Sequence, residues 1–129
     1  MNFLFDENLP QALARALREL GAPVRHVVDV EALGRGATDA EIIPYAARWD
    51  FRLVSRDKAM MKASQLKAVV HAEGVGLYLF HLGKARQPAR WDLIQNVIKH
   101  WPSIVEHART TDPPYVVCIR RSGGLKPFP

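Results

Sequence analysis

Short, mainly apolar runs alternate along this chain with longer stretches in which apolar residues recur at helical spacing. The short runs, each typical of a strand buried on both faces of a sheet, cover residues 3–5, 24–30, 52–55, 76–80 and 115–119. Helices are predicted after Pro10, after Thr38, from residue 58 to 70 and from residue 88 to about 108. This alternating order predicts an α/β fold, a three-layer α/β/α sandwich with a mainly parallel central sheet.

Helical periodicity also predicts which side chains the helices bury. Thr38 and Glu41 have the spacing of a capping box, so the second helix is predicted to begin there. Its buried side should consist of Ile42, Ile43, Ala46, Ala47 and Trp49. The long fourth helix, expected to bend near Pro102, should bury Trp91, Ile94, Val97, Ile98, Trp101, Ile104 and Val105. The tail after Arg121, rich in glycine and proline, is predicted to be mobile or to pack late in folding.

The length of 129 residues and the hydrophobic content of 48% are those of one domain with a substantial core. Residues 1–129 are therefore predicted to form a single domain. No apolar run approaches the roughly 18 residues of a membrane span, and the N-terminus enters a strand rather than a signal peptide. We expect a cytoplasmic protein without a membrane partner. The single cysteine, Cys118, excludes an intramolecular disulfide and is predicted to be buried in the last strand.

Acidic side chains recur where predicted strands end. Asp6 and Glu7 directly follow the first strand, and Asp57 follows the third. In a parallel sheet these strand ends lie at the edge where ligands bind, and Asp39, in the first turn of the second helix, can reach that edge from the same side. The simpler alternatives are that Asp6 is an ordinary turn residue and that Asp39 and Glu41 only complement the helix dipole.

Carboxylates within a few ångströms of one another repel unless a divalent cation lies among them. Oxygen ligands of this kind predict Mg²⁺ or Mn²⁺, with Asp6, Asp39 and Asp57 as the central ligands and Glu7 and Glu41 as further candidates. Zinc is disfavoured, because the five histidines show no metal-ligand spacing and the lone cysteine is in a strand.

Charge is distributed unevenly along the chain, whose net charge is +5. Residues 1–57 contain seven Lys and Arg against nine Asp and Glu, whereas residues 58–129 contain eleven against four. An acidic focus beside a basic surface suits a protein that holds a metal ion and faces a polyanion. The basic residues placed to steer a nucleic-acid backbone are Arg56, Lys58 and Lys62, with Lys84, Arg86 and Arg90 further away. Solubilising surface is the alternative for each of them.

Three short motifs stand at these strand ends and helix starts: Phe-Asp6-Glu-Asn-Leu-Pro10, Thr38-Asp39-Ala-Glu41-Ile and Leu-Val-Ser55-Arg56-Asp57-Lys58. Together they resemble the PIN-like domain family, which includes the VapC-type toxins of bacterial toxin–antitoxin modules. The resemblance covers most of the chain and is strongest from residue 3 to 58. It implies a three-layer α/β/α fold and a Mg²⁺- or Mn²⁺-dependent ribonuclease that uses Asp6, Asp39 and Asp57 as catalytic metal ligands. It further implies an RNA substrate and an antitoxin protein, and a homodimer is also compatible with it.

Ala59 departs from the family pattern, because many PIN-like chains carry a second aspartate at that position. The fourth metal ligand is therefore open, and a catalytically inactive PIN-like module used for binding is one alternative. A phosphoacceptor receiver domain is another, because it has a similar alternation of elements, an acidic pair after its first strand and an aspartate after its third. A receiver also requires a Ser or Thr after strand four and a Lys after strand five, where this chain has His81 and Arg120.

Overall fold

The computed structural model describes residues 1–56, 63–84 and 89–128. Within these residues the strands are β1 (Asn2–Phe5), β2 (Val24–His26), β3 (Phe51–Arg56), β4 (Gly76–Phe80), β5 (Tyr115–Ile119) and β6 (Lys126–Pro127). The helices are α1 (Gln11–Glu19), α2 (Asp39–Arg48), α3 (Ala63–Glu73) and α4 (Ala89–Thr110), and a short 3₁₀ helix, Val27–Asp29, follows β2. The predicted α/β fold class is confirmed.

The strands form one sheet in the order β2-β1-β3-β4-β5-β6. The first five are parallel, and β6 is antiparallel to β5. From β1 the chain passes first to β2 on one side and then to β3 on the other, so the order of the strands reverses between β1 and β3. In doubly wound sheets the crevice at such a reversal, outside the carboxyl ends of the strands, is where ligands bind.

Two hydrophobic clusters, one on each face of the sheet, hold the three layers together. α1 and α4 cover the face to which β1 contributes Phe3 and Phe5, and α2 and α3 cover the face to which it contributes Leu4. This alternation follows from the two-residue period of a strand. Each of these three side chains has no exposed surface, and burial of one such side chain stabilises the fold by about 1.5–3 kcal/mol.

β2 is shorter than the predicted run of residues 24–30. It ends at His26, whose buried imidazole is hydrogen-bonded through both ring nitrogens. Nδ1 accepts from the backbone N–H of Val28 at 3.2 Å, so Nε2 carries the proton and donates to the carbonyl oxygen of Leu9 at 2.9 Å. The bond to Val28 favours the 3₁₀ turn over an extended chain. The apolar run alone contained no sign of this local competition.

Three residues predicted to be buried are largely exposed: Trp49 (55%), Trp91 (61%) and Ile98 (54%). Trp49 follows the last residue of α2, where helical spacing no longer sets the direction of a side chain. On α4 the predicted buried stripe is wider than the observed one, because Trp91 and Ile98 lie beside the observed stripe. The stripe itself consists of Asp92, Leu93, Asn96, Val97, His100, Ile104 and Ala108.

The tail, predicted to be mobile or to pack late, is packed and adds a strand to the sheet. β6 pairs with β5, and the backbone N–H of Phe128 donates to the carbonyl oxygen of Val116 at 2.9 Å. Leu125 and Phe128 pack against the two hydrophobic clusters, one on each face. Cys118 is buried in β5, as predicted.

α4, with 22 residues, is longer than the other described helices, and it is amphipathic rather than apolar all round. In the described part of the chain no helix is both long enough and apolar enough to cross a bilayer.

Candidate active site

Asp6 is the first residue after β1 and lies at the reversal between β1 and β3. The pairing of these strands aligns Phe5 with Val54, so Asp6 and Ser55 come next in the same register. Leu4 and Leu53 both belong to the cluster covered by α2 and α3. Because side chains alternate along a strand, Asp6 and Ser55 are directed to that same face, toward the layer that contains α2.

The carboxylate of Asp6 is buried, with 5% of the residue exposed, and is held by neutral donors. The hydroxyl of Ser55 donates to Oδ2. The backbone N–H of Asn8 donates to Oδ1 at 3.0 Å, and the side-chain amide of Asn8 donates to Oδ2 at 3.4 Å. Hydrogen bonds to a charged acceptor are stronger than those to a neutral one, so these contacts fix the direction of the carboxylate.

The segment after β1 also contacts the loop that leads into α2. The carboxylate of Glu7 accepts a hydrogen bond from the backbone N–H of Gly36, three residues before Asp39. Gly36 has a φ of 75°, which favours glycine at the position that makes this approach. Asp39 is the first residue of α2 and is partly exposed. The hydrogen bond between Glu7 and Gly36 therefore joins the segment that carries Asp6 to the segment that carries Asp39.

Glu41, a further candidate ligand, forms the predicted capping box. Its Oε1 accepts from the backbone N–H and from the hydroxyl of Thr38, each at 3.0 Å. These bonds, first that from the backbone N–H and then that from the hydroxyl, lower the pKa of Glu41. Both bonds to Glu41 and the bond from Gly36 to Glu7 are accepted by Oε1, so metal binding by either glutamate would have to use Oε2 or compete with these bonds.

The remaining predicted residues divide into two groups. Asp57, Lys58 and Lys62 lie outside the described residues, as does Arg86. Arg56 ends β3 and is partly exposed, whereas Lys84 and Arg90 are exposed. Within residues 1–56, 63–84 and 89–128, no three His, Cys, Asp or Glu side chains lie close enough together to hold a metal ion. The metal site therefore stays a prediction that requires Asp57.

An ion pair that the sequence did not indicate lies at the carboxyl end of β5. Arg121 binds the buried carboxylate of Asp92 through two nitrogens, and one of these also donates to the carbonyl oxygen of Lys84 at 2.7 Å. Arg121 thus ties the end of β5 to the first turn of α4 and to the segment after β4. Ser55, Asn8 and Gly36 were likewise missed as supports of Asp6 and Glu7. The parallel register that places Ser55 beside Asp6 could have revealed the first of them.

These observations define a doubly wound α/β/α protein with a buried, oriented carboxylate at the reversal of strand order. A family model described as a PIN-like domain matches residues 1–83, about two thirds of the 129-residue chain. The chain belongs to the PIN-like domain family, whose members are generally nucleases. Comparisons with curated proteins and with solved structures gave no match. Three elements lie beyond the matched residues: α4, and the strands β5 and β6, which complete the sheet.

Proposed function

We propose that this protein is a Mg²⁺- or Mn²⁺-dependent ribonuclease that hydrolyses internal phosphodiester bonds of RNA and acts as the toxin of a toxin–antitoxin module. The observation that carries the proposal is Asp6, a buried carboxylate at the β1/β3 reversal that is bonded to Ser55, two residues before Asp57. Its segment is also bonded, through Glu7, to the loop before Asp39. Membership of a nuclease superfamily supports the same class of activity.

The donor set fits a hard divalent cation, because Asp6, Asp39 and Asp57 offer the oxygen ligands that Mg²⁺ and Mn²⁺ prefer. Asp6 is the fixed member, since Ser55 and Asn8 orient it. Asp39 and Asp57 complete the set from α2 and from the segment after β3. Asp6, Asp39 and Asp57 would hold the cation, which would supply Lewis acidity toward a water molecule and the scissile phosphate, so that no nucleophilic side chain would be required.

The residues that would hold the RNA backbone follow β3. Arg56 ends this strand beside Asp57, and Lys58 and Lys62 come next in the sequence. Their charges attract phosphates without reading the bases, so these contacts position the strand for cleavage and do not select a sequence.

Asp6→Asn and Asp57→Asn test the proposal, since each keeps the side-chain volume and removes a charge that the cation requires. Both variants should lose metal-dependent cleavage of RNA while their circular dichroism spectra stay unchanged. At about 10 mM Mn²⁺ the melting temperature of the wild type should rise, because an ion that binds only the folded state stabilises it. Asp112→Asn, which changes an exposed aspartate away from the site, is the matched control and should retain both properties.

Cleavage retained in both variants would place the active site elsewhere, and a melting curve unchanged by Mn²⁺ would show that the protein does not bind the metal.

The same assays separate the alternatives. A folded wild type that binds RNA without cleaving it would be the inactive binding module that Ala59 left open. The strand order found here is also that of receiver domains. Treatment with a small phosphodonor, followed by mass spectrometry, would identify a receiver by a stable phosphoryl group on Asp57.

A further inference from the structure

A surface groove lies along the outer side of α2, at the β2 edge of the sheet. It has a volume of about 650 Å³. β2 and the segment after the 3₁₀ helix line one side of it, and the second half of α2 lines the other. The lining residues are Arg25, Val30, Glu31, Ala32, Pro44, Tyr45, Arg48 and Trp49. Within α2 these residues lie beside the fully buried stripe of Ile42, Ile43 and Ala46, and Tyr45 also packs against the core.

Three aromatic rings, those of Trp49, Tyr45 and Phe51, form a row from this groove into the core. The ring of Trp49 lies 6.3 Å from that of Tyr45, which stacks on Phe51 at 6.0 Å with an interplanar angle of 22°. Phe51 is buried, Tyr45 is half-buried and Trp49 is 55% exposed. The indole is therefore held on one side by packed rings and keeps an accessible surface. Such a supported, exposed ring is suited to stacking against a flat ligand.

Two arginines accompany this ring. The guanidinium of Arg48 lies over one face of the Trp49 ring, 5.4 Å from its centre, so a base would stack on the remaining exposed surface of the indole. Arg25 donates to the backbone carbonyl of Asp29 at 3.2 Å, a neutral acceptor, so this contact does not neutralise its charge. Glu31 is the acidic member of the lining. The groove thus combines a flat apolar surface with a net positive charge, which matches the alternation of base and phosphate in a nucleic-acid strand.

We propose that this groove binds single-stranded RNA, with a base stacked on Trp49 and the adjacent phosphates held by Arg25 and Arg48. The proposal deepens the proposed function and rests on it for the class of ligand. Asp39 and Arg48 occupy opposite ends of α2, nine residues and about 13 Å apart along its axis. A strand that bound both sites would therefore span at least about four stacked nucleotides. The groove would hold RNA on a surface separate from the carboxylates that cleave it.

Fluorescence anisotropy with a labelled RNA of 12 nucleotides, in EDTA so that no metal supports cleavage, measures this binding directly. Trp49→Ala should weaken binding about 5- to 150-fold, the range for loss of one base stack. Trp49→Phe keeps a stacking ring and should retain most of the affinity, and Arg48→Gln should weaken binding and reduce its salt dependence. Trp91→Ala, which removes a similarly exposed tryptophan from α4, is the matched control and should leave binding unchanged.

Asp6→Asn separates this inference from the proposed function. It should abolish cleavage and retain binding, whereas Trp49→Ala should raise the KM for the 12-nucleotide RNA and leave kcat unchanged. Equal RNA affinities for wild type, Trp49→Ala and Arg48→Gln, all with native melting curves, would overturn the groove even if cleavage is confirmed. So would binding of an oligoglutamate peptide that depends on Trp49 while RNA binding does not, or a change in oligomeric state as the sole effect of Trp49→Ala. RNA binding that depends on Trp49 would support the groove even if no cleavage is found.

Discussion

Ser55 is a small side chain whose importance follows from its neighbour. Its hydroxyl donates to the buried carboxylate of Asp6. Ser55→Ala leaves that carboxylate with fewer donors, and a lost hydrogen bond to a charged group costs about 1.5–3 kcal/mol. We expect the free energy of unfolding, measured in urea without metal, to fall by that amount, while Ser103→Ala on the exposed side of α4 has little effect. Equal losses in the two variants would mean that Ser55 does not support Asp6.

Two histidines make stability depend on pH. Burial lowers the pKa of His107, and burial and then the charge of Lys99 lower that of His100, against backbone bonds that raise it. His107 Nδ1 lies 2.8 Å from the hydroxyl of Tyr78, and burial raises the pKa of that hydroxyl, so it stays protonated beside the ring. Below their ordinary value of 6.5 these rings bind protons more readily in the unfolded chain.

The histidine contribution to stability should therefore be fully present above pH 6.5 and decrease as the pH falls through 6.5 toward the lowered values. Urea unfolding at pH 8 and at a series of values down to pH 5.5 measures this change. His107→Gln should reduce the dependence and leave the part due to His100, because glutamine does not titrate. His71→Gln, which replaces an exposed histidine, should not. Wild-type stability that did not change over this interval would contradict the assignment.

At the scale of the elements, the cap of α2 distinguishes a structural role from a metal-binding one. Glu41 is engaged by Thr38, whereas Asp39, the first residue of the helix, is partly exposed. Asp39→Asn should remove most of the stabilisation by Mn²⁺, and Glu41→Gln should keep it. Thr38→Ala should cost about 0.5–2 kcal/mol through loss of the cap, with or without metal. Thermal melts of the three variants, with Mn²⁺ and with EDTA, test this. Loss of the Mn²⁺ response in Glu41→Gln would identify Glu41 as a ligand.

The order of strands and helices could be predicted from the sequence, because each element has its own apolar period. Events that depend on a single contact could not. The imidazole of His26 shortens β2, and Lys126 and Pro127 form a strand without any apolar run. The exposure of Trp49 depends on where α2 ends, since the helical pattern extends one residue beyond it.

The candidate site was predictable to the same degree. The end of the first strand predicted Asp6 as a site residue, and the start of the second helix predicted Asp39. The contacts that hold Asp6 and Glu7 come from residues distant in the sequence. Ser55 reaches Asp6 through the register of β1 with β3, and Gly36, 29 positions from Glu7, bonds it from a loop. Local sequence does not specify such contacts. Whether Asp57 joins the site stays a prediction, because it lies outside the described residues.

At the scale of the whole molecule, the carboxylates suggest how the proposed toxin would be restrained. An antitoxin that inserts an Arg or Lys among Asp6, Asp39 and Asp57 would satisfy them when the cation is absent, with an apolar segment docked nearby. Antitoxin and metal should then compete. Raising Mn²⁺ should weaken the complex more than NaCl of the same ionic strength, as measured by titration calorimetry. An affinity that is equal for wild type and Asp6→Asn, and indifferent to Mn²⁺, would show that inhibition does not involve this pocket.

The position of β1 between β2 and β3 also has a consequence for how the molecule folds. β1 precedes both of its neighbours in the chain, and Asp6 contacts Ser55 across 49 positions of sequence. Pairing at such separation is slow, because the entropy of closing the intervening chain is lost before the contacts form. A nascent chain in which β3 has not yet been made therefore contains Asp6 but lacks Ser55, which bonds it. The support of Asp6 therefore forms only after β3 has been synthesised and has paired with β1.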